Sequence, residues 1–196
     1  MNSLDEKKIK IRYGIVSNNN LVVKDVANKD ELDFKNGILE HIELSDSEHK
    51  SSHIKSCALS SVNLISANIS GSKIDRSFIS GSRLSGMNLE ESILVDVVFK
   101  NCKINGASFR TTELKRVLFY ECDLTDADFQ SADLEKVVFR SCELIQTNFS
   151  NAKFKDVDIK TSRLDGARLG IEQLKGLTID QAQATYIALL TGVKID

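Results

Sequence analysis

The sequence predicts an all-β solenoid: a regular coil with four sides, a β cap before it and an α-helix after it. Three observations carry this. From Ile54 to Leu169 an Ile, Leu or Phe recurs every fifth residue without a slip. Two places before each stands Ala, Ser, Thr, Cys or Val, with Met87 as the exception. Like residues also recur at twenty, as in Cys102, Cys122 and Cys142, or Phe99, Phe119 and Phe139. A helix turns 3.6 residues at a time and carries a five-residue repeat around its axis. A strand alternates faces, so an odd period cannot hold one side of it. The chain must therefore turn once per repeat, and the twenty-residue period closes four turns into one coil.

Taken in order, Ile9, Ile11, Tyr13 and Ile15 alternate with Lys8, Lys10, Arg12 and Gly14, which reads as a half-buried strand. Ser17 to Asn20 is a turn signal, and Leu21 to Val26 reads as a returning strand. Residues 1–31 are thus expected to form a β cap. The repeat region is expected over 32–174, with an irregular first coil. Phe34, Leu39 and Leu44 are in phase, but His49 interrupts the apolar column, and the polar run Leu44 to Ser52 reads as a looser coil or a bulging loop. Gly71, Gly81, Gly86, Gly106, Gly166 and Gly176 all stand two places after a central residue, which marks the corner where positive φ is needed. The two Phe columns, offset by ten, belong on opposite sides. Residues 175–196 are expected to form a helical cap and dimerisation segment. Thr178 with Gln181 matches a capping box, Asp180 favours the same start, and Gly192 suits the stop.

The repeat of a small residue, one spacer, Leu or Phe, and two polar residues resembles the pentapeptide-repeat family over Ser52 to about Leu174. That resemblance implies a right-handed quadrilateral β-helix with both apolar positions inside. It also implies a C-terminal helix that commonly builds a homodimer. Some bacterial members mimic B-DNA, bind DNA gyrase or topoisomerase IV, and protect against quinolones or peptide toxins.

A net charge of −2 and a pI near 6.0 point away from nucleic-acid or membrane-surface partners, so direct nucleic-acid binding is not expected. The first twenty residues are too polar for a signal peptide and no apolar run reaches a membrane span, so a cytoplasmic protein is expected. Cys57, Cys102, Cys122 and Cys142 lack CxxC spacing. Coil neighbours ~4.8 Å apart lie within disulfide range. Every cysteine nevertheless holds the small inward position, where inert buried thiols are expected. His41, His49 and His53, near Asp46 and Glu48, have no zinc spacing and read as a solvated loop. There is no nucleophile with a base, no phosphate loop and no placed carboxylate pair, so neither an enzyme nor a cofactor is expected.

Phe78, Val98, Leu118 and Val138 each precede a central residue on one side, twenty apart, with Lys100, Tyr120, Arg140 and Lys160 alongside. They are expected either to form an exposed apolar contact stripe with Tyr120 or to lie under Lys and Arg stems. The leading functional expectation is a non-enzymatic protein-binding or scaffold module that works through a rod face. Gyrase mimicry is the alternative, and charge disfavours it. A duplex carries one negative charge per ~1.7 Å, whereas acidic and basic residues balance over 51–173. Acidity at Asp123, Asp126, Asp128 and Glu143 is offset by Lys103, Arg110 and Arg140. The C-terminal helix is expected to offer Tyr186, Ile187, Leu189 and Leu190 to a twofold seam, with Tyr186 burying its ring and keeping its hydroxyl wet.

Overall fold

Four short segments per twenty residues build the coil in a computed structural model, which describes residues 31–190, apart from the Leu190 side chain, and Lys194. The β cap expected over 1–31 lies outside the described residues except for Glu31, as does Gly192. Two sides of the coil are true parallel sheets. The first side stacks seven strands from Asp33–Lys35 to Lys153–Lys155, and the second stacks eight from Ile38–Glu40 to Leu177–Thr178. Neighbours in each sheet are offset by twenty residues in strict register, as in Phe119↔Phe139 and Leu114↔Leu134. The third and fourth sides are held by single bridges such as Asp123↔Glu143 and Ser108↔Asp128.

The corner sits where the glycines marked it, two places after each central residue. Six glycines adopt positive φ there, but so do polar and charged residues, including Arg116 at 54° and the β-branched Thr111 and Thr161 at 53° and 67°. On the third and fourth sides a hydrogen bond spans the corner, for example from Ala127 N–H to Leu124 O at 3.0 Å. This is a type II turn, which requires positive φ at its third residue. The ladder of coil-to-coil hydrogen bonds outweighs the local strain, so most corners are not glycine.

Inside, both repeat positions are buried along nearly the whole rod. The Phe columns come from the second and fourth sides and meet at the axis. Phe119 stacks on Phe99 and Phe139 at 4.9 Å each and takes Phe109 and Phe129 edge-on at 6.0 and 6.2 Å. Towards the N-terminus the columns change to Ile and Leu, and a void of about 20 Å³ lies among Ile69, Ile79, Leu84 and Phe99. Met87 lines it too, a long flexible side chain in a small-residue slot where aromatic volume is missing. The inward hydroxyls are engaged by backbone. Ser52 and Ser72 accept from Leu32 and Ser52 N–H, and Thr112 donates to Leu89 O.

Two sequence expectations change here. The first coil is regular and not a loop. Asp33–Lys35 and Ile38–Glu40 pair in register with the next coil, Glu43 and Glu48 bridge to Asn63 and Asn68, and His49 sits in the column at 1 % exposure. An imidazole fits a slot one coil below Ile69, so the repeat continues through a polar residue. The helix also starts later than Thr178. Leu177–Thr178 adds a strand to the second sheet, and α1 spans Gln181–Leu190. Its capping box is Asp180 with Gln183: Gln183 N–H donates to Asp180 Oδ1 and Asp180 N–H donates to Gln183 Oε1, both at 3.0 Å.

Candidate interaction surface

On each sheet the residue before the central one points away from the core. On the first side that position is exposed in every coil: Asp33, His53, Lys73, Ile93, Glu113, Asp133, Lys153. On the second side it is apolar from Ile38 to Val138, and the register stacks Phe78 on Val98, Val98 on Leu118 and Leu118 on Val138. The line expected from the sequence therefore exists, and it begins earlier, at Ile38 and Ala58. Those two were missed, although their twenty-residue phase with Phe78 was readable.

The exposure expected of this line is corrected at its N-terminal end. Phe78 and Val98 are each 1 % exposed and Ala58 5 %, and they form an apolar cluster separate from the core, joined by half-buried Ile38 and Leu118. Lys100 beside them is 4 % exposed. Leu118, Tyr120 and Val138 remain half-buried. Arg140, next to Tyr120 in register, donates to Asp158 at 2.8 Å, and Lys160 lies 3.5 Å from the same carboxylate.

The other sides are charged and internally paired. Arg116 grips Asp96 through Nε and Nη2 at 2.5 and 2.8 Å, and this guanidinium lowers the Asp96 carboxyl from its ordinary value. Glu135 lies between Lys155 and Lys115 at 3.1 Å from each, and their hydrogen bonds lower its pKa. Among the acids expected to matter for mimicry, Asp128 pairs with Arg110 and Glu143 with Arg163, both at 3.1 Å. Asp123 accepts from Thr125 N–H, and Asp126 occupies a corner. Lys103 follows Arg83 and precedes Asp123 in the same row. Such exposed pairs add little stability singly, but they keep bases threaded through the acids.

The cysteines are all buried and free. Sγ of Cys122 lies 3.5 Å from both Phe99 O and Tyr120 O, and Cys142 repeats the geometry with Phe119 O and Arg140 O. Burial pushes the Cys57 and Cys122 thiols above the ordinary 9.0, and the neighbouring thiols add to the rise at Cys122. Folded-state values above the unfolded one mean stability that is complete below the ordinary thiol range. It is lost as pH rises through that range, because the unfolded chain then releases protons the native chain keeps. Native protein at pH 8 is therefore expected to take up no maleimide within an hour, and denatured protein to take up four per chain. Labelling of the native protein would overturn the inert reading. The histidines do not converge. His41 is at a corner, His49 is inside and His53 faces outward. Among the described residues no group of three or more His, Cys, Asp or Glu could hold a metal ion, and no helix is long and apolar enough to cross a membrane.

At the C-terminal end two of the expected seam residues face the rod. Tyr186 packs its ring against the core, and its hydroxyl accepts from Gly166 N–H at 2.7 Å at an exposed position on the rod end. Ile187 is buried at 8 % exposure, whereas Leu189 is 55 % exposed. The Leu190 side chain lies outside the described residues. The sequence reading also missed Gln173 and Gln183, both buried. Gln173 Nε2 donates to Ala152 O at 3.0 Å, and Gln183 Nε2 donates to Ile159 O and Ser162 O at 2.7 Å each. These are carbonyls of the last coil, which has no full coil beyond it to supply N–H groups.

Comparison with known proteins agrees with this geometry. No curated protein matches the chain. The chain is similar to the solved structure of HetL from Nostoc sp. strain PCC 7120, a pentapeptide repeat protein involved in heterocyst differentiation regulation. The identity is 14 % over 79 % of this chain and 92 % of that one, with a TM-score of 0.44. A pentapeptide repeat protein of the Arabidopsis thaliana thylakoid lumen is 27 % identical over 61 % of this chain and 73 % of that one, with a TM-score of 0.45. QnrB1, a plasmid-mediated fluoroquinolone resistance protein, is 18 % identical over 85 % and 99 %, with a TM-score of 0.29. A family model described as the pentapeptide repeat region matches residues 52–126 and 92–169, more than half of the chain. With the twenty-residue register and the buried pair of positions in nearly every repeat, this establishes that the chain belongs to the pentapeptide-repeat family.

Proposed function

We propose that the protein is a non-enzymatic binding module that meets another protein through the second side of its rod. The observation that supports this is the apolar line itself. Leu118 and Val138 stay half-buried beyond the buried end of the line, in register, with Tyr120 and Arg140 as the next pair along the same strands. Tyr and Arg around a small apolar centre are the residue types that carry binding energy in protein interfaces. A rigid coil also holds them at fixed spacing at no further entropic cost. Self-association through α1 belongs to the same reading, with Leu189 as its described apolar contact.

Pull-down from host lysate with wild-type protein and with Leu118→Asp/Val138→Asp tests the reading, with light scattering on the same preparations. A partner retained by wild type and lost by the variant is expected. A partner retained equally by both would overturn the choice of face. Pairing of Asp128 with Arg110 and of Glu143 with Arg163 argues against a continuous acidic rod. Purified protein is accordingly expected neither to inhibit gyrase supercoiling nor to rescue gyrase from a fluoroquinolone. Protection near stoichiometric ratios would replace the first reading with DNA mimicry.

A further inference from the structure

We infer that the first side of the rod carries a binding groove for a diphosphate group, held by Lys35, Lys55, Lys73 and His53. In each of the first three coils the residues before and after the inward Phe34, Ile54 or Ile74 stand outward from the sheet. The register stacks Asp33, His53 and Lys73 as one wall and Lys35, Lys55 and Asp75 as the other. Between the walls lies a groove of about 370 Å³ lined by these six side chains, within the size range of small-ligand sites. The walls stand two residue steps apart, ~7 Å, and neighbours along a wall are ~4.8 Å apart.

Charge makes this groove a site. Lys35 in the first coil, His53 and Lys55 in the second and Lys73 in the third form a band of donors that crosses the groove obliquely. The two remaining corners hold Asp33 and Asp75, and both carboxylates are engaged, Asp33 with Lys35 at 2.9 Å and Asp75 with Arg76 at 3.1 Å. Among the described residues, Lys55, Lys73 and His53 have no ion-pair partner. Farther along the same side the cations are paired: Lys115 and Lys155 both hold Glu135, and Arg116 holds Asp96. Lys55 also stacks directly on Lys35 in register, and like charges set opposite each other on a sheet repel. An anion between the walls removes that repulsion.

The chemistry of the ligand follows from the arrangement of the donors. Lys presents a compact point charge with three N–H donors, which suits phosphate oxygens better than the planar fork of a carboxylate. The donors fall into two pairs on opposite walls, Lys35 with Lys55 and His53 with Lys73, so two linked phosphate groups give each pair its own oxygens. Longer polyanions are disfavoured, because the corner acids flank the band and Glu113 and Asp133 follow on the wall of Lys73. In the fourth coil Ile93 and Val95 continue the two walls as an apolar pair, with Ile93 38 % exposed. They offer a surface to the base of a nucleoside diphosphate that inorganic pyrophosphate would leave unused. The groove lies on a different side of the rod from Leu118 and Val138, so it stands independently of the protein-binding reading.

Isothermal titration of full-length protein with inorganic pyrophosphate tests the site, at ~0.1 M salt in buffer free of phosphate and divalent cations. One saturable site per chain is expected. Lys55→Gln/Lys73→Gln is expected to weaken binding about tenfold or more, because two of the donors lose their charge. Lys115→Gln/Lys155→Gln makes the same change of net charge on the same side. It is expected to shift affinity by less than about twofold, because Lys115 lies three coil steps, ~14 Å, from Lys55, beyond the ~10 Å screening length. The altered lysines are all exposed, so both variants are expected to keep the wild-type denaturation midpoint. Orthophosphate, which can meet only one wall, is expected to bind about tenfold more weakly than pyrophosphate. ADP separates the two sources of the group. Tighter binding than pyrophosphate assigns a nucleoside diphosphate with its base over Ile93 and Val95, and weaker binding assigns the inorganic ion. Absence of saturation with pyrophosphate would overturn the proposal, as would equal weakening by the two double variants or orthophosphate binding as tight as pyrophosphate.

Discussion

Phe119→Ala is expected to lower the stability of the rod by ~3–5 kcal/mol, the cost of emptying a fully buried aromatic site whose walls cannot collapse. Three features place it at the upper end. The side chain is 0 % exposed. Its ring is held by four others, two stacked and two edge-on, and such pairs add to area burial. The backbone around it is fixed by ladders to the coils above and below, so the cavity stays open. Chemical denaturation of full-length protein should show a clear fall in midpoint. Phe154→Ala, at a half-buried site with a single ring contact, should cost less than half as much. A shift below ~1 kcal/mol for Phe119→Ala would mean the Phe columns do not form a packed axis. Val98→Ser, on the outside of the same sheet, is expected to be destabilising as well, because the outer cluster around Val98 is as dry as the core.

How much of this was readable in advance follows from where each signal lives. The coil, its four sides, the inward pair and the corner are all consequences of period, and period is a property of sequence. That is why the Cys102–Cys122–Cys142 column and the two Phe columns fall where the repeat puts them. The first coil is harder to read because His49 looks like a break in the apolar column, whereas a slot held by the Glu48↔Asn68 bridge to the next coil accepts an imidazole in place of Ile or Leu. Corner glycines were legible, but the corner itself does not depend on them. Thr111 and Thr161 are carried into positive φ by the hydrogen bonds on either side. The surface was harder. That Phe78 and Val98 face outward is a matter of register and could be read. That they are buried depends on their surroundings on that face, which no five-residue rule encodes. The rod end was missed for a similar reason: an isolated Gln in a polar stretch carries no sign that two coil carbonyls await it.

Those carbonyls make Gln183 the most sensitive polar residue of the C-terminal end. A β-solenoid satisfies each coil with the next, so its last coil ends in C=O groups with no strand above them. Gln183 answers two of them, Ile159 O and Ser162 O, from inside the protein at 6 % exposure, while its Oε1 takes the Asp180 N–H that starts α1. Gln183→Leu keeps the bulk and removes all three bonds. Each buried carbonyl left without a donor costs ~1–3 kcal/mol, so the variant is expected to lose ~2–5 kcal/mol. Gln183→Glu separates the two roles, since a carboxylate can still accept from Asp180 N–H but has no N–H to donate. Its loss should therefore match or exceed that of the Leu variant, with two carbonyl dipoles now facing a negative charge. Gln181→Leu, on the exposed side of the same turn, should change stability by less than ~0.5 kcal/mol. Denaturation midpoints of the three variants decide the matter. A Gln183→Glu protein as stable as wild type would show that the helix start is what Gln183 serves, and that the last carbonyls are satisfied in some other way.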